Sequence, residues 1–219
     1  MLELENVTLY QINCVDSIAA VNTIKYSIDE VQFKEVLLFS DIKPDNLIDD
    51  ITFHKILKLT HDTYNKFTFK HLSDYITTDF CLCIGFDGFI INPHLWEDTF
   101  FDYDYIGAPW PVRPWNVKNR VGNGGFCLKS KKLIELSSKL DLSNREEHDD
   151  VLITNTYMEY FINNGCRFAP IDVAARFSLE MPIPEVEYDL RNCFGFHGMT
   201  TEESEYIVRF VNPQSAIFN

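Results

Sequence analysis

Apolar and polar positions alternate in short blocks through the first half of the chain, and the blocks switch between two periods. Val7-Thr8-Leu9-Tyr10-Gln11-Ile12 predicts a strand. Residues 16–27 follow with Ile18, Val21 and Ile24 at helical spacing, and Asp16 or Ser17 stands where a cap is needed. Residues 35–40 predict a short buried strand stopped by Asp41, and residues 55–59 predict another. A helix is expected over 64–76. Residues 79–91 form the most apolar strand, interrupted at Gly85-Phe86-Asp87-Gly88. This alternation predicts a largely parallel α/β sheet. Such sheets bind ligands beyond the carboxyl ends of their strands, where Asp87 falls.

The second half is less regular. A turn-rich stretch, residues 109–125, leads into a strand-like Phe126-Cys127-Leu128 and a helical run over 130–140. Residues 151–164 read as one long amphipathic helix with Gly165 as its stop. Residues 167–170 and 174–178 look like short strands. Gly122, Gly124 and Gly125 cluster in Val121-Gly122-Asn123-Gly124-Gly125-Phe126. Clustered glycines mark backbone that turns tightly or approaches something closely. An Asn-Gly hairpin turn and a ligand-facing loop both satisfy this pattern. No repeat or linker breaks the chain, which predicts one compact domain.

Composition narrows the function classes. The chain has 219 residues, 46% hydrophobic, with 18 Phe and 10 Tyr, enough to build a large core. Its formal net charge of −14 disfavours nucleic acid and anionic membranes as partners. Any phosphate ligand then needs local positive charge or a metal. The six cysteines lack zinc-site spacing, and no secretory signal or transmembrane segment is visible. A reducing, cytoplasmic setting with free thiols is the expectation. No P-loop and no Gly-x-Gly-x-x-Gly occurs.

Several residues carry candidate chemistry. Asp87 ends an apolar strand, where a carboxylate needs a partner or a cation, so a metal ligand and a hydrogen-bonded turn are both open. Glu146, Glu147, Asp149 and Asp150 precede a helix; capping and general-base roles are both open. His197 lies between Gly195-Phe196 and Gly198, as a metal ligand, a phosphate donor or a structural residue. Tyr105, Trp110 and Trp115 suit a stacking wall for a sugar or base, or local packing. Arg113, Lys118 and Arg120 cluster before the glycine loop, where they would supply positive charge for an anion.

Taken together, these segments resemble a glycosyltransferase-like family of GT-A type, known mainly as a domain of unknown function in bacterial polysaccharide loci and giant viruses. The resemblance runs in order through Phe86-Asp87-Gly88, Tyr103-Asp104-Tyr105-Ile106-Gly107-Ala108-Pro109-Trp110-Pro111, and Val121 to Ser130 with its Gly-Asn-Gly-Gly core. It continues through Asp149-Asp150-Val151, Phe168-Ala169-Pro170, residues 174–180 around Phe177-Ser178, and Phe194-Gly195-Phe196-His197-Gly198. It implies a single GT-A-like α/β domain with a mostly parallel central sheet flanked by helices and a small antiparallel element in the second half. Residues 1–92 would form the nucleotide-binding half and 93–219 the acceptor and catalytic half.

The implied activity is a metal-dependent transfer of sugar from a nucleoside-diphosphate sugar donor to a glycan or other hydroxyl acceptor, with inversion. GT-A enzymes hold Mn²⁺ or Mg²⁺ with an Asp-x-Asp motif. Here Gly85-Phe86-Asp87 lacks the first carboxylate, leaving Asp87, with His197 matching a C-terminal histidine that some relatives add. Asp150 is the implied base and Asp149 the second choice, where the family reads Glu-Asp. Asp104, Trp110, Arg120, Asn123, Gly124 and Gly125 would meet donor or acceptor. Phe39, Ser40 and Asp41 would lie near the nucleotide by fold analogy. The missing carboxylate keeps open a non-catalytic nucleotide-sugar-binding module of a glycan-assembly system. A metal-dependent nucleotidyltransferase, which would release pyrophosphate, is the third reading.

Overall fold

The first half of the chain folds as β1 (Leu2–Ile12), α1 (Ser17–Ile28), β2 (Val31–Ser40), β3 (Thr52–Lys55), α2 (His61–Lys70) and β4 (Phe80–Ile84). Then follow β5 (Gly88–Ile90), β6 (Tyr105–Ile106), β7 (Ala108–Pro109), β8 (Val121–Gly122), β9 (Phe126–Ser130) and α3 (Lys131–Ser137). The chain continues with α4 (Asp149–Val151), α5 (Met158–Asn163), α6 (Ile171–Phe177), β10 (Ser178–Leu179), β11 (Gly195–His197) and α7 (Glu202–Val211). This computed structural model describes residues 1–143 and 145–215.

The main sheet has the order β3-β2-β1-β4-β9-β6. β1, β2, β3 and β4 run parallel, while β9 enters antiparallel between β4 and β6. Val7, Leu9, Leu38, Phe39 and Leu82 are fully buried, as strands covered on both faces require. One face packs on Ala20, Val21 and Ile24 of α1 and on Val173, Ala174 and Phe177 of α6. The other packs on Phe67 and Phe69 of α2, Leu133 and Ile134 of α3, and Leu152 and Phe161. The fold is thus the expected α/β type with a mostly parallel central sheet between helices. A small second sheet, β10-β11-β5, pairs β11 antiparallel to β5, and a third joins β7 to β8.

Asp16 caps α1 by accepting from Ala19 N at 2.9 Å. α2 starts at His61, earlier than the apolar spacing suggests, because Thr60 and Thr63 close a capping box. The strand expected at 55–59 lies instead at Thr52–Lys55, paired with Leu37–Ser40 of β2. β2 ends at Ser40, so residues beyond Ile56 find no ladder partner and Leu57 is left exposed.

Residues 174–178 are not a strand. Val173, Ala174 and Phe177 share one buried helical face of α6, and Pro170 stands at its N-cap; only Ser178 and Leu179 are extended. Phe177 packs on Phe100, Phe126 and Phe194 with ring centroids 5.3, 5.4 and 5.9 Å away. Truncating it to Ala should cost about 3–5 kcal/mol in chemical denaturation; a loss under about 1 kcal/mol would contradict this packing.

The helix expected over 151–164 is also broken. A π-helical turn, Leu152–Thr156, separates α4 from α5. The wider turn points Asn155 inward, where its Oδ1 accepts from Lys118 N and Asn119 N, and its Nδ2 donates to Asn119 O. One side chain thereby ties this helix to the segment that enters the glycine cluster.

Candidate active site

Asn123 to Gly125 is where the site is assembled. β8 and β9 flank this cluster but do not pair with each other, so it is not a hairpin turn. Asn123 adopts φ +85°, in the left-handed region that Asn tolerates better than most residues. Its Oδ1 accepts from Gly125 N at 2.8 Å and Phe126 N at 3.1 Å, and its carbonyl accepts from the buried Tyr105 hydroxyl. The loop is therefore held from inside, and Gly124 and Gly125 lie directly against the Asp149 and His197 side chains.

Two of those groups come from α4. Gly124 N donates to Asp150 Oδ2 at 2.9 Å, and Val151 N donates to Asp150 Oδ1 at 2.7 Å. Burial and the neighbouring Asp149 carboxylate push the half-buried Asp150 up to about 7 despite these bonds. A carboxyl poised there suits proton transfer near neutral pH. Asp149 is buried instead, with Oδ2 3.9 Å from Lys129 Nζ.

The other groups come from three separate elements. Asp87 follows β4, Glu180 follows β10, and His197 ends β11. His197 Nε2 lies 3.2 Å from Asp87 Oδ1 and its Nδ1 lies 3.3 Å from Glu180 Oε1. Burial opposes a charge on this imidazole, but the two carboxylates outweigh burial and push it up to about 10. Trp110 Nε1 donates to Glu180 Oε2 at 2.5 Å, so Glu180 is fixed from a second side. The cluster abuts the loop directly: a Cβ on Gly125 would sit 2.0 Å from His197 Nε2.

Asp87 and His197 suit a hard divalent ion once that ion displaces the proton the two carboxylates hold on the ring. A carboxylate oxygen and an imidazole nitrogen face each other, and Glu180 orients the ring from its far nitrogen, the second-shell pattern of metal-bound histidine. Among the described residues no group of three or more His, Cys, Asp or Glu is arranged to hold a metal. Two protein donors fit an ion whose other ligands are phosphate oxygens and water.

The remaining candidates sit differently. Asp104 spends both oxygens inside the fold, accepting from Ser130 Oγ at 2.6 Å and Arg167 N at 2.8 Å. Arg120 forks onto Glu185 at 2.7 and 3.2 Å and donates to Trp110 O, bracing the loop's entry. Lys118 pairs with Glu159 at 3.1 Å. Tyr105 and Trp110 are buried packing residues, whereas Trp115 stacks edge-on against Trp110 and remains 47% exposed. Phe39 and Ser40 are fully buried.

A cleft of ≈ 390 Å³ opens instead at the ends of β1 and β4, lined by Ile12, Asn13, Thr60, Tyr64, Gly85 and Phe86. Gly85 N donates to Gly125 O at 2.5 Å, so the cleft adjoins both Asp87 and the glycine loop. A wider groove of ≈ 770 Å³ between α1, the end of β5 and α7 holds none of the candidate residues. No local pattern in the sequence marks Glu180 or Lys129. Glu180 closes a matched segment and Lys129 sits inside another, yet neither stands near its partner in the chain.

Comparison with known proteins agrees with the architecture. The fold is similar to the apo-form glycosyltransferase GlyE of Streptococcus pneumoniae TIGR4, with TM-score 0.55 and 13% identity over 94% of this chain. The chain spans 60% of GlyE's length. It is also similar to a glycosyltransferase involved in the glycosylation of the major capsid of PBCV-1, with TM-score 0.50 and 13% identity, covering 93% of this chain and 98% of that one. At such identity the likeness establishes a glycosyltransferase-like fold. No curated protein matches the sequence. Among the described residues, no helix is long and apolar enough to cross a membrane. Residues 45–197, most of the chain, match the family described as protein of unknown function (DUF5672), and the chain belongs to that family.

Proposed function

We propose that the protein is a glycosyltransferase that moves a sugar from a nucleoside-diphosphate sugar to a hydroxyl acceptor with inversion. The observation that carries this reading is the meeting of Asp150 and the Asp87–His197–Glu180 cluster on one three-residue loop. A base for the acceptor and a cation-binding pair for a diphosphate are what such a displacement needs.

The cleft beside Gly85 would take the nucleoside, its apolar wall of Ile12 and Phe86 covering the base. Asp87 and His197 would hold Mn²⁺ or Mg²⁺, which when bound neutralises charge on the leaving diphosphate. Glu180 keeps the His197 ring turned toward Asp87. The loop backbone, bare of side chains at Gly124 and Gly125, lets Asp149 and His197 close onto it, so that base and cation-binding pair stand side by side. Asp150 takes the acceptor hydroxyl proton as the oxygen bonds the anomeric carbon; the anomeric C–O bond to the diphosphate breaks, and its electron pair leaves with the nucleotide. Gly124 N and Val151 N hold that carboxylate in place throughout.

Asp150 must be ionised to accept the proton, so activity should be lost on acidification. The expected kcat/KM profile climbs with pH through a midpoint near 7, where Asp150 titrates. The reading is tested by a thermal-shift screen of nucleoside diphosphates and nucleotide sugars with and without Mn²⁺, followed by donor hydrolysis and transfer assays. Wild type should show a Mn²⁺-dependent shift with one base and turnover of its sugar nucleotide, and Asp87→Asn should lose the Mn²⁺ dependence of both. Donor binding without turnover for every acceptor supplied would instead favour a non-catalytic binding module. Release of pyrophosphate from a nucleoside triphosphate would favour nucleotidyl transfer.

A further inference from the structure

Lys129 is 2% exposed on β9, yet it carries an ammonium group. Its ladder neighbours are Cys81 on β4 and Tyr105 on β6, and Tyr10 presents its ring 5.7 Å from Nζ. Among the described residues its one ion-pair partner is Asp149, 3.9 Å away and itself buried. Replacing a buried ion pair by apolar groups of similar volume is often neutral or stabilising, so a pair of this kind is poorly explained by stability alone. Its place is more telling. Asp149 lies under the glycine loop: a Cβ on Gly124 would come within 2.8 Å of Asp149 Oδ1. The next residue, Asp150, accepts from Gly124 N. Lys129 is on the strand that leaves the same loop. Loop, strand and acidic pair are therefore linked, with the ammonium 3.9 Å from the buried member of the pair.

We propose that Lys129 is a positioning residue: its buried ammonium holds the Asp149 carboxylate beneath the glycine loop, and the pair sets how firmly Asp150 keeps its proton. The catalytic consequence rests on the reading of Asp150 as base; the electrostatic arrangement does not. The titratable groups facing Asp150 are Asp149, Glu180, Tyr64 and Tyr105. Asp149 and Glu180 both disfavour its ionisation, and Asp149 has the larger effect of the two. Lys129 offsets the nearer charge. Without it, two adjacent carboxylates would compete for one proton, as like charges at close range do.

The test is a carboxyl-carbon NMR titration of the free protein, with no donor or acceptor present. Asp149→Asn should lower the Asp150 midpoint, weakening its hold on the proton by roughly tenfold. Lys129→Met should act in the opposite direction, the acidic pair keeping its last proton to a pH higher by about one unit. Lys129→Arg should restore wild-type titration. A lysine with only a structural role would lower the melting temperature in Lys129→Met while leaving the titration unmoved. Unchanged Asp150 titration in folded Asp149→Asn and Lys129→Met overturns the proposal. If Lys129→Met does not fold, Lys129→Gln takes its place, and an Asp150 midpoint unmoved in folded Lys129→Gln overturns the proposal. The outcome is separable from the transfer reaction: altered titration in a protein that never transfers sugar would sink the glycosyltransferase reading and leave this one standing.

Discussion

Asp150→Asn is expected to reduce sugar transfer by about 10²- to 10⁴-fold, the usual weight of a positioned general base. Nucleotide-sugar binding, read by thermal shift, should be nearly unchanged. The variant keeps one side-chain oxygen, which can still accept from Gly124 N, so the loop retains its anchor. It gives up one of the two backbone bonds, since an amide offers a single acceptor. The same variant carries a stability signature. Asp150 titrates near 7 in the folded chain against an ordinary value of 3.8. The folded state therefore binds this proton more tightly than the unfolded state. The stability it contributes is fully present below about pH 4 and is lost as pH rises through about 7. Asp150→Asn, unable to ionise, should be similar to wild type near pH 4 and more stable than it at pH 8 by about 3–4 kcal/mol, the equivalent of a shift from 3.8 to about 7. Transfer retained above about a tenth of wild type would remove Asp150 from the base role; equal stability of the two proteins at pH 8 would mean its carboxyl ionises without penalty.

Gly125→Ala should be almost as damaging, by a different route. The added methyl would lie 2.0 Å from His197 Nε2 and 2.2 Å from its Cδ2, well inside contact distance. His197 has little freedom to yield, being held between Asp87 at 3.2 Å and Glu180 at 3.3 Å. The ring must leave one carboxylate or both, and the cation-binding pair is broken. Misplacement on the scale of an ångström costs on the order of 10²-fold in rate. Gly124→Ala meets a single oxygen of Asp149 at 2.8 Å and should be milder. A second substitution, His197→Ala in the Gly125→Ala background, should recover melting temperature without recovering transfer, since it removes the clash and the ligand together. Full activity in Gly125→Ala would mean that the loop is only a turn.

Much of the framework was legible along the chain. Strand and helix periods alternate clearly through residues 7–40, because buried parallel strands need unbroken apolar runs and α1 needs one apolar face. Asp87 stood out as a carboxylate at the end of an apolar strand, and Asp149-Asp150 as an excess of acid at a helix start. The failures have physical causes. Residues 174–178 are apolar over too short a span for periodicity to separate strand from helix, and the packing of Phe177 among three other rings decided it. The break in residues 151–164 follows from Asn155 turning inward to bind backbone 36 and 37 residues away, which no local pattern encodes. Asp104 looked like a ligand-facing acid but is consumed by Ser130 and Arg167.

By itself, the sequence determined local backbone and inventory: where strands and helices run, where Asn123 and its glycines permit an unusual turn, and which acids, histidine and lysine exist to be used. Only the tertiary structure decided which of them meet. The antiparallel insertion of β9 beside β4 brings Gly125 against Gly85, and the pairing of β11 with β5 brings His197 to Asp87. Glu180 and Lys129 acquire their meaning only then, because a charge has consequence through what lies within a few ångströms of it, and here those neighbours are far apart in the chain.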